Sequence, residues 1–242
     1  SGSNESTIIC DIFIYLIIGL ETKINLGGNM DYVLTCTINN KLNKSITIPR
    51  NSKNNSKEEK KRVIFELMRE ALRCLREIGK APHPPEHIIV YRQGGNHIQN
   101  KKLLENEIPY FVKFINEQKN KHDIFKKYDT KLTYICCNLK SDLKFFEVGN
   151  DQNLSNPQSG LCVDSQVIQK DKYEFFIQPQ FVNQGTATPC HYEVLYQDID
   201  ENNPDNNIKL ENLQKLSFYL SFYYWTWSGA VRIPGVLKLS TT

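Results

Sequence analysis

Two short apolar runs, separated by a segment with helical spacing, constrain the fold of this chain more than any other feature. Residues 87–92 (HIIVYR) and 132–137 (LTYICC) carry apolar side chains on both faces rather than in alternation, so each reads as a fully buried strand. Residues 106–119 between them read as a helix. Upstream, Val63, Ile64, Leu67, Met68, Ala71, Leu72 and Leu75 recur at helical spacing with charged residues opposite, predicting a helix over 59–78 that Pro82, Pro84 and Pro85 stop. Alternation of strand, helix, strand, helix and strand implies an α/β fold with a mixed, largely parallel central sheet flanked by helices.

The remaining segments extend this sheet. Residues 32–39 (YVLTCTIN) and 44–49 (KSITIP) are β-branched and read as a hairpin turning over 39–43. Residues 162–167, 173–177 and 192–196 supply late strands, and 210–224 a last amphipathic helix. The apolar run 7–20 reads as a helix leading into Leu26-Gly27-Gly28, behind a Ser/Asn-rich start at 1–6 that is expected to fray. With 40% apolar residues in 242, the chain can bury one large core.

Charge and cysteine content narrow the functional classes. Thirty basic and 27 acidic side chains leave a net charge of +3, too balanced to signal nucleic-acid binding, so any basic surface must be local. Seven scattered cysteines without a C-x-x-C pair, and no histidine at zinc spacing, fit free thiols in a reducing compartment. This points to an intracellular protein. The run 12–20 is shorter than the roughly 20 residues that a bilayer requires, and no basic segment precedes it, so neither a membrane span nor a signal peptide is expected. His83, His87, His97 and His122 show no ligand spacing and read as surface or loop residues.

The stretch 185–198 (GTATPCHYEVLYQD) sets a turn before His191 and an alternating strand after it, so the imidazole lies at a strand mouth, where α/β folds keep their chemistry. This stretch resembles the His-bearing signature of the Piwi domain in Argonaute proteins. Residues 87–95 (HIIVYRQGG) resemble the same family's central strand, and the Ile108-Pro109 start resembles its following helix. Residues 156–165 (NPQSGLCVDS) and 225–234 (WTWSGAVRIP) extend the likeness, the last more like the Piwi clade. The resemblance implies an RNase H-like Piwi domain over 29–242, with 1–28 a remnant of the preceding Mid domain and its linker.

Active members of that family cut RNA opposite a guide strand with two Mg²⁺ ions held by converging carboxylates and a histidine. The resemblance places the first Asp on an opening strand between Gly28 and residue 32, where only Asn29, Met30 and Asp31 lie, so that strand is expected to be missing. Gln93 occupies the second Asp position, and a neutral amide is a weak ligand for a hard cation. The mobile Glu falls near Lys61, with Glu58 and Glu59 close by, and His191 fills the catalytic histidine position. Taken alone, His191 is either a ligand or a hydrogen-bonded structural residue.

The implied function is therefore a slicing-inactive, guide-binding module in RNA silencing, monomeric and without a cofactor. Its partners would be a single-stranded small guide RNA and a complementary target RNA. Lys140, Lys144, Thr186, Tyr192 and Arg232 are its candidate nucleic-acid contacts, with Lys23 the one lysine near the position that meets a guide 5′ phosphate. One alternative is an active Mg²⁺ endonuclease in which Asp31, Glu58 or Glu59, and Asp164 converge on His191. The other is a decayed fragment without function.

Overall fold

The computed structural model describes residues 14–39, 41–150, 152–164, 173–201, 203–204 and 207–242. Three strands come first, β1 (Tyr15–Ile24), β2 (Met30–Thr37) and β3 (Ser45–Asn51), followed by helix α1 (Lys57–Glu77) and β4 (His87–Gln93). Helices α2 (His97–Asn106), α3 (Ile108–Lys121) and α4 (Asp123–Tyr128) lead to β5 (Lys131–Asn138). A small ribbon of β6 (Glu147–Val148) and β7 (Leu154–Ser155) precedes β8 (Leu161–Val163), β9 (Glu174–Gln178) and β10 (Cys190–Gln197). Helices α5 (Leu210–Leu220) and α6 (Gly235–Thr241) close the described chain.

Eight strands form one sheet in the order β3-β2-β1-β4-β5-β10-β9-β8. Its centre, β1-β4-β5, is parallel, and every outer pairing is antiparallel. Strands β1, β3, β4, β5 and β9 consequently point one way, and β2, β8 and β10 the other. Parallel strands must be covered on both faces, and the side chains comply. Leu16, Ile18, Val90, Leu132 and Tyr134 face α1 and α3 through Val63, Leu67, Phe111 and Phe114. Ile17, Ile89, Tyr91, Cys137 and Tyr192 face α5 and α6 through Leu213, Leu220, Val236 and Leu237. Gly19 lets α6 lie directly on β1, since a Cβ there would come within 2.3 Å of the Val236 carbonyl oxygen. Helix α1 starts where expected because Ser56 caps it, its Oγ accepting from the Glu59 amide at 3.2 Å.

The expectation of a helix over 7–20 is overturned within the described residues. Residues 15–24 are a strand, hydrogen-bonded to β2 on one side and β4 on the other. A continuous apolar run does not reveal its period, and β-branched Ile14, Ile17 and Ile18 favour the pleated backbone once neighbours exist on both sides. The frayed start and residues 7–13 lie outside the described residues.

The same finding corrects the expectation of a missing opening strand. That strand is β1, and it precedes Leu26-Gly27-Gly28 instead of following it. Asn25 and Gly28 make the tight turn into β2: the Asn25 Oδ1 accepts from the Gly27 and Asn29 amides at 3.0 and 3.1 Å, and Gly28 takes φ +76°. The ground for a boundary at residue 28 thereby disappears. Elsewhere the hairpin is present as β2-β3, α2 was not anticipated, and the last long helix stops at Leu220. The strand expected at 162–167 appears as β8, its last three residues lying outside those described.

Candidate nucleic-acid interface

The carboxyl ends of β1 and β4 meet at Glu21 and Gln93, one step beyond the register pair Leu20↔Arg92. Glu21 is the acidic residue of the opening strand that sequence reasoning missed; its signal was Gly19-Leu20-Glu21 at the end of an apolar run. The side chains around it are already engaged with one another. Arg92, buried under α3, donates from Nε to Glu107 Oε1 at 3.3 Å, and the Tyr134 hydroxyl donates to the same oxygen. Its Nη2 reaches Thr22 Oγ1, and Nη1 lies 3.7 Å from Glu21 Oε2. Burial pushes the Glu21 carboxyl above its ordinary range, with Arg92 opposing that shift.

These groups do not fit a two-metal centre. Gln93 is neutral, Glu21 has a fixed guanidinium for its neighbour, and no three Asp, Glu, His or Cys side chains converge on one point among the described residues. The carboxylates of the endonuclease alternative do not converge on His191 among the described residues. Asp31 accepts from Asn25 Nδ2 at 3.0 Å, inside the β1–β2 turn. Glu59 takes Arg62 and the Lys53 amide, which hold its carboxyl down at about 2. Glu58 is exposed on α1, and Asp164 accepts from Gln214 Nε2 of α5 at 2.8 Å.

His191 does not join these groups. Gln93 pairs with Cys137 and Cys137 with Tyr192, so Tyr192 shares a sheet face with Gln93 and His191 lies on the other. There its ring stacks on Phe176 at 4.5 Å and its Nε2 lies 3.0 Å from Glu174 Oε2. The arrangement is that of a hydrogen-bonded structural histidine. Nor is His87 a surface residue: it is buried against the Tyr15 ring, 5.6 Å between centroids.

The binding candidates separate by the same rule of pleat. Tyr192 is fully buried and stacked on Phe175 at 4.9 Å, so its phenol is removed from any ligand. Lys23 is exposed, but its Nζ meets the Thr241 carbonyl at 3.1 Å, where it caps the carboxyl end of α6; a 5′-phosphate role gains no support from that position. Lys140, Lys144 and Thr186 are exposed, and Arg232 is half-buried.

Four loops bring these last residues onto one rim. Asn156 organises the turn before β10, donating to the Val182 and Gly185 carbonyls at 2.9 and 2.8 Å and accepting from the Ala187 amide at 2.9 Å. Gly185, at φ +80°, permits that turn. The Lys144 ammonium reaches the Thr188 hydroxyl, Arg232 Nη2 donates to the Leu139 carbonyl at 2.9 Å, and Gln180 Nε2 to the Ala230 carbonyl at 2.8 Å. The stretches 138–145, 156–160, 180–188 and 225–234 are thus tied together by side-chain to backbone bonds. What they present outward is the Lys140 and Lys144 cations with the exposed Asp142 carboxylate between them, hydroxyls and a braced turn, while the Arg232 guanidinium is held partly inside with its Nε buried.

A mixed sheet with a parallel centre, helices on both faces and polar groups at the strand ends defines an RNase H-like domain. Comparison with known proteins makes the assignment narrower: the model of the Piwi domain matches residues 3–241, and the chain belongs to that family. It is 35% identical over 150 residues to argonaute-3 of Drosophila melanogaster and 32% to Piwi-like protein 1 of Gallus gallus. Each alignment covers 62% of this chain but only 15% and 16% of those proteins. Among solved structures, Drosophila Piwi superimposes with a TM-score of 0.74 at 23% identity, covering 96% of this chain and 29% of that one. The C-terminal lobe of a budding yeast Argonaute gives 0.76 at 18% identity, covering 95% and 45%. Kluyveromyces polysporus Argonaute with a guide RNA gives 0.73 at 17%, covering 94% and 26%.

Proposed function

We propose that this Piwi domain binds a single-stranded small guide RNA, together with its complementary target, in RNA silencing inside the cell, without cutting the target. The observation that carries the reading is the rim, where exposed Lys140 and Lys144 and the Asn156-braced turn lie on loops bonded to one another, with half-buried Arg232 among the ties. Each lysine neutralises one phosphate, and the Thr186 hydroxyl and turn amides add sequence-independent donors. The solved relatives include an Argonaute with a guide RNA and another with guide RNA and target DNA, which supports a nucleic-acid partner. The donor set at Glu21 and Gln93 supports the second half of the proposal, because a carboxylate facing Arg92 and a neutral amide cannot offset two divalent charges.

Filter binding of single-stranded RNA across a salt series, beside a cleavage assay on a guide-paired target with Mg²⁺ or Mn²⁺, tests both halves. Salt-sensitive binding without cleavage is expected. Site-specific cleavage, or no binding at low salt, contradicts one half or the other.

A further inference from the structure

Seven of the ten residues 218–227 (FYLSFYYWTW) are aromatic, and no Asp or Glu occurs after Glu211. Of these rings only Phe218 of α5 packs partly against the core, Tyr224 is half-buried, and the rest emerge. Trp225 and Trp227 are 62% and 61% exposed, Tyr219 59%, and Phe222 and Tyr223 are also among the exposed rings. Rings of this size normally dominate cores and interfaces, and so dense an exposed group marks a contact surface.

The loop that carries them is held in place. The Val231 amide returns to the Ser221 carbonyl at 2.8 Å, the Trp227 amide to Tyr224 at 3.1 Å, and Gln180 binds Ala230 from the neighbouring loop. Gly235 packs so closely on the Tyr223 carbonyl that a Cβ would come within 2.0 Å of its oxygen. Trp227 rests against Gly229, whose missing Cβ would meet the indole Nε1 at 3.0 Å, which backs one side of the ring and leaves the rest to solvent. Cations border the rings: Lys238 lies 5.9 Å from the Tyr224 ring centre, and Arg232 links this loop to Leu139, next to Lys140.

We infer that Trp225 and Trp227 form a stacking platform for the unpaired bases of a single-stranded nucleic acid whose phosphates run along Arg232, Lys238 and Lys140. The inference rests on the RNA-binding reading above and adds base contacts to its phosphate contacts. Charge selects this occupant. A segment with cations and no carboxylates fits a polyanion, and the flat faces of the indoles accept any base, which gives affinity without sequence preference.

Both tryptophans of the chain lie on this platform, so intrinsic tryptophan fluorescence reports on it alone. The full chain is titrated with an oligouridylate and with an abasic phosphodiester strand of equal length. The oligouridylate is expected to quench the fluorescence and to bind about tenfold or more tightly than the abasic strand, as stacking on an aromatic ring commonly contributes. In filter binding, Trp225→Ala with Trp227→Ala should reduce the oligouridylate to the abasic level. Trp225→Phe with Trp227→Phe should restore most of the difference, which separates stacking from a fold defect. Equal affinity for both strands without quenching overturns the platform and leaves the phosphate-binding reading intact. If neither strand binds, both fall. A spectral shift with protein concentration in the absence of nucleic acid also overturns it, because the rings would then pair two copies of the chain.

Discussion

The strand ends at Glu21, Arg92 and Gln93 and the rim at Asn156, Thr188 and Arg232 are both built from polar groups, but their chemistry is directed differently. At the strand ends, polarity turns inward. Arg92, Glu107 and Tyr134 are buried and bond to one another, and Glu21 is left with a hydrogen-bond-free oxygen near Arg92. On the rim, side chains direct their bonds to backbone carbonyls and amides, which fixes loop shape while Lys140 and Lys144 stay exposed. The lesson is that one fold can turn its polar groups inward at the strand ends and spend them on loop shape at the rim.

Breaking the inner network should have the largest effect. Glu107→Ala leaves Arg92 buried with only the distant Glu21 as counter-charge, and unfolding in urea should show a loss of about 3–5 kcal/mol. Lys140→Ala, on the exposed rim, should stay within about 0.5 kcal/mol of wild type in the same assay. Equal losses would erase the contrast between the two regions.

Asn156→Ala comes next. Three bonds to Val182, Gly185 and Ala187 disappear together, so about 1–3 kcal/mol should be lost, accompanied by weaker RNA binding as the turn loosens. Full RNA affinity in that variant would detach the turn from function.

Glu21 sharpens the comparison through pH. Its carboxyl is raised above the ordinary 4.5 by burial, so between that value and its folded value the native state holds a proton that the unfolded chain has released. Stability must therefore fall as pH rises through this window. Glu21→Gln, neutral throughout, should flatten that part of the urea-midpoint profile and be the more stable protein above it. Gln93→Asp alone should yield no cleavage of a guide-paired RNA, since Arg92 still occupies the charge of Glu21.

Much of this was legible in the sequence, and the failures share one cause. Alternation in β2 and β10, the apolar character of β4 and β5, and the spacing of α1 all led to the sheet that is observed. The apolar run containing β1 carried no readable period, and misreading it as a helix also displaced the expected opening strand and hid Glu21. Lys140, Lys144 and Arg232 were singled out through their motifs, and the structure places them on loops bonded to one another. Tyr192 was read as a binding contact, and His191 was left between ligand and structural residue, because a one-residue step on a strand moves a side chain to the other face, and only register decides which face is which. Asn156 was seen as part of a motif, but its bracing role depends on residues about 30 positions away.

The central claim, a binding edge beside a closed catalytic corner, is tested most directly by the salt dependence of single-stranded RNA binding to the wild-type chain and to Lys140→Ala and Lys144→Ala. The account predicts that log K falls linearly with log salt, and that each substitution lowers affinity for all RNAs alike and flattens the slope by roughly one unit. Absence of RNA binding by the wild type at low salt, or slopes unchanged in both variants, would contradict it.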